Sequence, residues 1–416
     1  MSRPVVTWPA PGASAREVVA DLSVLEAAMA GTGPAVAAPG VLDRPEEVRV
    51  PEETAVVIAT SGTTGRPKPA LLTADALRHA VHGLADVLGT GQSMLAVPPT
   101  HITGIAVILR NLAAGRSPLA VAPGHFGPET FVEAWARRDR SAPRHFCTLV
   151  PTQLRRLLAS SAAVAAAREL DAIIVGAAPL PAADAALARR LGLRIVVGYG
   201  CSETAGGCLY DGRLLPGLSA DLDPDGRLRI GGPQVALGYL GRPGCEAFTQ
   251  DTVGVRWYRT DDLARRRPDG SLQILGRVDD VINTGGLKVA PVVVEDALGL
   301  ARVPGLGAAM VVGVPDPEWG ETVAVLAVPA GEAPGEAPRG TPGGLPGTGA
   351  HLPGAHLLGP RPPGAALPTL ADVRAALADH LPSHALPRAL HLVGELPVVG
   401  PGKPDRRRAR ELVSAR

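Results

Sequence analysis

One stretch of this chain carries the residue types of an anion cradle: Thr60-Ser61-Gly62-Thr63-Thr64-Gly65-Arg66-Pro67-Lys68, directly after the apolar run Ala55 to Ala59. Small hydroxyl residues and two glycines let a backbone turn tightly and aim several N–H groups and hydroxyls at one anion, while Arg66 and Lys68 supply countercharge. It is not a Walker loop, because Pro67 has no N–H to donate and no hydroxyl follows Lys68. Taken alone, such a stretch can also be a plain polar turn after a strand, so its meaning depends on the rest of the chain.

Four further stretches follow in order. Tyr199-Gly200-Cys201-Ser202-Glu203-Thr204 follows a buried strand, where a loop at the carboxyl edge of a sheet would present an aromatic face, two hydroxyls and a carboxylate. Tyr258-Arg259-Thr260-Asp261-Asp262-Leu263 puts a carboxylate where it could hold vicinal sugar hydroxyls. Gly276-Arg277-Val278-Asp279-Asp280 runs into Thr284-Gly285-Gly286-Leu287-Lys288, and Gly400-Pro401-Gly402-Lys403 lies near the C-terminus. Each has an ordinary reading of its own: a structural tyrosine, a solvated acidic turn, a hairpin, a basic tail.

The elements that must position these residues alternate. Helical spacing of Val18, Leu22, Leu25 and Met29 predicts one amphipathic helix over Ala15 to Ala30 within an otherwise Pro-punctuated start. Thr73 or Asp75 caps a helix through Leu88, and Ser93 to Val97 reads as a buried strand. Helix Gly104 to Ala114, strand Leu119 to Ala122, helix Pro128 to Arg138, strand His145 to Leu149 and a helix from Pro151 follow. Strand Ala172 to Val175, helix Ala182 to Leu191 and strand Arg194 to Gly198 complete an α/β pattern expected to form a parallel sheet with helices on its faces. Past Gly206, turns at Asp211-Gly212, Asp225-Gly226 and Asp269-Gly270 between alternating apolar residues predict a β-rich subdomain. After Asp279 a small α+β unit is expected: a helix near Pro291, strands Ala308 to Val314 and Thr322 to Val328, helix Leu370 to Leu381 and strand Ala389 to Val393. Half of residues 329–368 are Pro or Gly without a period, which predicts a disordered insertion rather than a core segment.

Composition narrows the chemistry. With 416 residues and 46% hydrophobic content the chain can bury a large core in two or three folding units. A net charge of +1 gives no general attraction to nucleic acid or an anionic membrane, and a small-molecule substrate fits better. Cys147, Cys201, Cys208 and Cys245 lack metal-ligand spacing and read as free thiols of a reducing, cytoplasmic compartment. No signal peptide and no membrane-inserting run is expected.

Together, in type and order, the motifs resemble the adenylate-forming superfamily of acyl-CoA synthetases, luciferases and adenylation domains, over about residues 50 to 416. The resemblance implies a large domain over 1–278, of mixed and parallel sheets with helices plus a β-rich subdomain, and a small, mobile α+β domain over 279–416. It implies that ATP activates an acid as the acyl-adenylate, releasing pyrophosphate, and that CoA then displaces AMP. Thr60, Ser61, Gly62, Thr63, Thr64, Gly65 and Lys68 would hold the departing phosphates; Tyr199 and Gly200 would adjoin adenine; and Glu203 would hold Mg2+ with Ser202 and Thr204 near the phosphates. Asp262 and Arg277 match ribose positions, Lys288 the nucleotide-binding set, Lys403 the lysine that bridges acid and α-phosphate, and Asp279 the hinge. Gly176, Ala177 and Ala178 match the segment lining the acyl pocket. A homodimer is compatible with the family.

The chain departs from the family pattern at Asp261, usually Gly, and at Pro69, Pro404 and Val293, without losing a charged catalytic group. Fewer residues precede the phosphate stretch than in most relatives, as though one N-terminal subdomain were largely missing. That short form, with Pro99-Thr100-His101-Ile102-Thr103-Gly104 and Arg110, is similar to the o-succinylbenzoate:CoA ligases of menaquinone synthesis. Arg110 could fork a second substrate carboxylate, and His101 suits a packing or pocket-gating role. Another acyl or aryl acid:CoA ligase, or a carrier-loading enzyme, is the nearest alternative; a non-catalytic AMP-binding relative is the alternative of a different class. Because a Pro/Gly-rich segment buries little, deleting residues 334–363 is expected to leave the melting temperature within about 2 °C of the parent in a thermal scan; a larger drop would show that the segment packs.

Overall fold

A computed structural model describes residues 2–60, 68–122, 126–330, 367–399 and 403–414. Residues 61–67 of the phosphate stretch, nearly all of the Pro/Gly-rich insertion, and residues 400–402 before Lys403 lie outside the described residues. The chain divides into two compact units: residues 1–150, 160–177 and 188–274, and residues 151–159, 178–187 and 275–416.

The first unit holds the expected parallel sheet. Strands Ile195–Cys201, Ala172–Val175, His145–Leu149, Gln92–Leu95 and Leu119–Ala120 run parallel in that spatial order. The hairpin Gly206–Tyr210 and Arg213–Leu214, turning at Asp211-Gly212, extends it antiparallel beyond Ile195–Cys201. The strand Ala172–Val175 is wholly buried and reads accordingly as an unbroken apolar run, while His145–Leu149, almost as buried, keeps His145 and Thr148 among its apolar residues. Helices Ala74–Leu88 and Ile102–Ala113 follow the strands, the first capped by Thr73, whose side chain accepts from the Ala76 N–H at 3.0 Å. The predicted turn at Asp225-Gly226 joins Ser219–Leu222 to Arg227–Gly231 in a second, antiparallel sheet completed by Arg256–Arg266, Phe248–Gln250 and Leu272–Arg277.

Three expectations change. The single helix over Ala15 to Ala30 is two, Ala15–Ala20 and Ser23–Ala30. The Asp21 carboxylate accepts from both the N–H and the hydroxyl of Ser23, at 3.1 and 2.7 Å, and this local bonding competes with the helical ladder. The Pro-punctuated start also contributes strands Ser2–Thr7, Ala35–Ala37 and Arg49–Pro51 to a third sheet with Thr54–Ala59, Pro69–Thr73 and Gly238–Tyr239. Two of these strands have only three residues, too few for a period to show, and Ser2–Thr7 turns the charged Arg3 inward, which breaks the apolar alternation. Finally, Tyr199, Gly200 and Cys201 are not loop: the strand runs on to Cys201, paired with Gly206–Tyr210, and the turn begins at Ser202.

The second unit is the α+β structure expected after residue 279, with Leu306–Asp316 and Gly320–Pro329 as its central hairpin. Ala389–Leu392 adds parallel to Gly320–Pro329, and Ile282–Thr284, in a hairpin with Leu287–Val289, meets the same strand at Gly320. Helices Pro291–Ala301 and Leu370–Leu377 bury Val294, Leu298, Val373 and Leu377 with Val311, Val323 and Val325. The Asp296 carboxyl is pushed up from its ordinary 3.8 to about 6, first by burial and then by neighbouring Glu295. Between about pH 4 and 6 the folded state therefore keeps a proton that the unfolded chain releases, so this group's contribution to stability falls as pH rises and is constant above about 6. Asp296→Asn, which can still accept a backbone hydrogen bond, is expected to raise stability at pH 7.5 by about 1–2 kcal/mol and leave it little changed at pH 4 in urea unfolding.

Candidate nucleotide site

The phosphate stretch springs from a hairpin. Strands Thr54–Ala59 and Pro69–Thr73 pair antiparallel, with Ala59 opposite Pro69, and the Thr60 N–H donates to the Lys68 carbonyl at 3.0 Å, so the segment between them leaves and returns at one point. The Ser202 hydroxyl donates to the Ala59 carbonyl at 3.0 Å, which draws the turn Ser202–Thr204 against that base. Thr60, Lys68 and Ser202, all expected near the phosphates, thus meet at the base of this hairpin.

Glu203 is only 5% exposed. A buried carboxylate needs donors, and Tyr239, also 5% exposed, donates its phenol to Glu203 Oε1 at 2.6 Å. The Lys68 ammonium lies 5.4 Å from the centre of the same ring, within the range of a cation–π contact. Tyr239 therefore serves both charged groups. Its segment is pinned by backbone bonds from Ala236 N–H to the Glu203 carbonyl at 2.9 Å and from Leu237 and Leu240 N–H to Leu71 and Pro69. The Tyr239 and Tyr258 phenols are both held well above the ordinary range, burial first and neighbouring charge second, and so remain neutral donors.

Thr204 is fully buried and committed to its own turn: its hydroxyl accepts from the Cys201 N–H at 3.0 Å and donates to the Gly206 carbonyl at 2.8 Å. It shapes the turn rather than offering its hydroxyl to a ligand, and Ala205 behind it takes a left-handed φ of 50°. Gly200 is required by close approach, since a Cβ there would stand 2.0 Å from the Gly206 carbonyl oxygen. Tyr199 donates to Asp262 Oδ2 at 2.6 Å, joining the expected adenine and ribose positions directly. Burial first, and Asp262 second, raise the Tyr199 phenol well above its ordinary range.

At the carboxyl edge of Ala172–Val175, Gly176 packs so that a Cβ would come within 2.8 Å of the Gly198 carbonyl oxygen, and Ala177 holds a strained φ of 65°. Ala178, next in the expected acyl segment, is half-buried. His101, expected to pack or gate a pocket, is exposed at the N-cap of helix Ile102–Ala113, and that helix approaches Pro98 so closely that only Gly fits at 104. Arg110, in its last turn, donates from Nη2 to the Thr148 hydroxyl at 2.8 Å; burial lowers its pKa, and its Nε is buried with no partner among the described residues. Arg110 and Ser93, whose hydroxyl is likewise buried without a partner, line a cavity of about 320 Å³ walled by Val81, Leu84 and Phe146.

A further comparison decides the family. A model of the family described as "AMP-binding enzyme" matches residues 8–240. The chain belongs to the AMP-binding enzyme family. It is similar to a probable 2-succinylbenzoate–CoA ligase of Mycobacterium tuberculosis, 36% identical over 361 residues that cover 86% of this chain and 84% of that one. A feruloyl-CoA synthase from Amycolatopsis is 29% identical over 87% and 70% of the two chains. Among solved structures, ATP-bound MatB from Rhodopseudomonas palustris superposes with a TM-score of 0.69 at 26% identity, over 87% of this chain and 68% of that one.

In this AMP-binding enzyme the second unit carries the remaining expected residues. Arg277 Nη2 lies 3.9 Å from Asp279 Oδ2, and the exposed Asp279 accepts at its carbonyl from Arg410 Nη2 at 3.3 Å. Lys288 is exposed on the hairpin that turns at Gly285-Gly286. Lys403 opens the strand Lys403–Pro404, its backbone opposite Val399.

Glu203 fits a magnesium ion. Mg2+ takes hard oxygens, commonly one or two carboxylates with substrate phosphates and waters, and Glu203 supplies a carboxylate beside the base of the phosphate hairpin.

Sequence reasoning missed Tyr239. One signal was available: the chain has four tyrosines, and Tyr199, Tyr210, Tyr239 and Tyr258 all fall within one stretch of motifs. Tyr239→Phe removes the donor to Glu203 but keeps the ring beneath Lys68; it is expected to cost about 1–3 kcal/mol in urea unfolding, and Tyr239→Leu, which removes both, should cost more.

Proposed function

We propose that this AMP-forming acid:thiol ligase activates an aromatic keto-dicarboxylate, o-succinylbenzoate, and transfers it to CoA. The observation that carries the reading is Arg110: its guanidinium is anchored by Thr148 through one nitrogen, with Nε unpartnered among the described residues, in the wall of a cavity that also takes in His82 and Asp86. A guanidinium with an unused N–H calls for an acceptor, and its fork suits a carboxylate's two oxygens. The likeness to a probable 2-succinylbenzoate–CoA ligase supports the same substrate, while the feruloyl-CoA synthase supports an aryl acid more broadly.

The chemistry assigns each residue its task. A carboxylate must attack a polyanionic phosphate chain, so like charges have to be screened and the two reacting groups aligned. Lys68, with Thr60, Ser61, Gly62, Thr63, Thr64 and Gly65, would cradle the departing phosphates. Mg2+ on Glu203 would supply further screening of those phosphates. Tyr199, Gly200 and Ser202 would adjoin the nucleotide, and Asp262 would accept hydrogen bonds from the ribose hydroxyls, with Arg277 and Lys288 completing the nucleotide set. Lys403 would place an ammonium between the acid and the α-phosphate, and Asp279 would be the hinge between the half-reactions. Gly176, Ala177 and Ala178 would line the acyl pocket beside His101.

The experiment is pyrophosphate release across o-succinylbenzoate, benzoate and ferulate. o-Succinylbenzoate is expected to have the highest kcat/KM, and Arg110→Met should lower it about 100-fold while affecting benzoate little. Equal turnover of o-succinylbenzoate and benzoate would overturn the dicarboxylate reading.

A further inference from the structure

The strand Arg256–Arg266 is irregular just where Asp262 leaves it. Arg229 pairs with Arg259, but Arg227 pairs with Leu263, so Thr260, Asp261 and Asp262 stand opposite the single residue Leu228. Such a bulge re-aims a side chain, and it needs bonds to replace those of the interrupted ladder. On its buried side Thr260 provides them: its hydroxyl donates to the Leu228 carbonyl at 2.9 Å and accepts from the Asp262 N–H at 3.1 Å. On the other side one guanidinium does so, with Arg227 Nε donating to the Thr260 carbonyl and Arg227 Nη2 to Asp261 Oδ1 at 2.5 Å.

We propose that Arg227 is a positioning residue for the nucleotide: by gripping both the backbone and the side chain of the bulge, it fixes the direction of Asp262 and thereby the enzyme's discrimination of the ribose hydroxyls. The proposal rests on the reading of Asp262 as the ribose-binding carboxylate. It explains the departure at 261. Asp261 is not among the described residues with positive φ, so this position does not require glycine here, and a carboxylate fits because Arg227 faces it. An ordinary surface ion pair is the competing account, since the Asp261 side chain is 43% exposed and such pairs contribute little. The bond from the same guanidinium to the Thr260 carbonyl separates the two accounts, because it holds the backbone one residue from Asp261 and two from Asp262. Asp262 has a second constraint in the Tyr199 phenol, so its aim is set from the bulge and from the adenine side together.

The test compares kcat/KM for ATP with that for 2′-deoxyATP and 3′-deoxyATP in pyrophosphate release, using the full chain and the best acid of the panel. Asp262→Ala is the control for the underlying reading and should erase most of the preference for ATP. Arg227→Ala is expected to reduce that preference about tenfold through the KM for ATP, with kcat at saturating ATP and the melting temperature nearly unchanged. Arg227→Lys, which keeps the charge but not the fork, should fall between the two. Asp261→Asn, which keeps the Thr260 bond, should reduce the preference less than Arg227→Ala and serves as the readout if that variant does not fold. If Asp262→Ala erases the preference while Arg227→Ala and Asp261→Asn keep it whole, Arg227 is only a surface partner and the proposal is overturned. If Asp262→Ala itself keeps the preference, the ribose reading fails, and the proposal with it.

Discussion

The hydrogen bond from Tyr239 to Glu203 is the constraint on which the nucleotide side of this protein depends. A carboxylate that is 5% exposed is stable only if its charge is answered, and here the answer is a neutral phenol rather than an arginine. The distinction matters for chemistry. A salt-bridged Glu203 would already be neutralised, whereas a phenol bonded to one oxygen leaves a net negative charge for a cation. Because the ring of the same tyrosine lies beneath Lys68, the negative and positive groups of the site are spaced by one rigid side chain. Backbone bonds from Ala236 to Glu203 and from Leu237 and Leu240 to the strand Pro69–Thr73 then fix that side chain to both.

Polarity without ionisation recurs around this site. The Tyr199, Tyr239 and Tyr258 phenols are all raised, in each case chiefly by burial, and the Tyr210 phenol is pushed up to about 12 by burial in the neighbourhood of Arg110. The nearby thiols follow the same rule: burial pushes Cys208 up to about 12 and raises Cys201 and Cys147 as well, which makes them poor nucleophiles. Among the described residues, the candidate nucleotide site is thus bordered by buried phenols and thiols that carry no charge of their own. Among the described residues, Glu203 and Asp262 are each anchored by their own tyrosine.

What could be read from the residues follows from the range of the interactions involved. The α/β alternation from Thr73 to Gly198 was legible because each element declares itself within its own span, by an apolar run or a capping residue such as Thr73. The turns at Asp211-Gly212, Asp225-Gly226 and Asp269-Gly270 were legible for the same reason. Ser2–Thr7 and Ala35–Ala37 were not, because a short strand in a mixed sheet is defined by its partners, and theirs lie tens of residues away. At the site, charged residues in recognisable stretches could be named, but Tyr239 reaches Glu203 across 36 residues of chain and belongs to no stretch with that carboxylate. Thr204 shows the converse: a hydroxyl in the right stretch can be spent on its own turn.

The second unit applies the same logic to permanent charge. Arg406, only two residues beyond the strand Lys403–Pro404, is 8% exposed and forks Glu295 at 2.6 and 2.9 Å, while its Nε lies 3.4 Å from Asp280. It also donates to the Val311 carbonyl at 2.7 Å. Burying the Arg406 guanidinium costs desolvation that attraction to the half-buried Glu295 and Asp280 repays only when nearly every donor is used, and all three of its nitrogens have oxygen neighbours. The arrangement constrains the chain more than it stabilises it. Helix Arg406–Ser414 begins at a residue held by both Glu295 and Asp280, and Arg410, one turn later, binds the Asp279 carbonyl. The start of this helix, two residues past the strand Lys403–Pro404, is thereby tethered to the segment Val278–Asp280 within one unit.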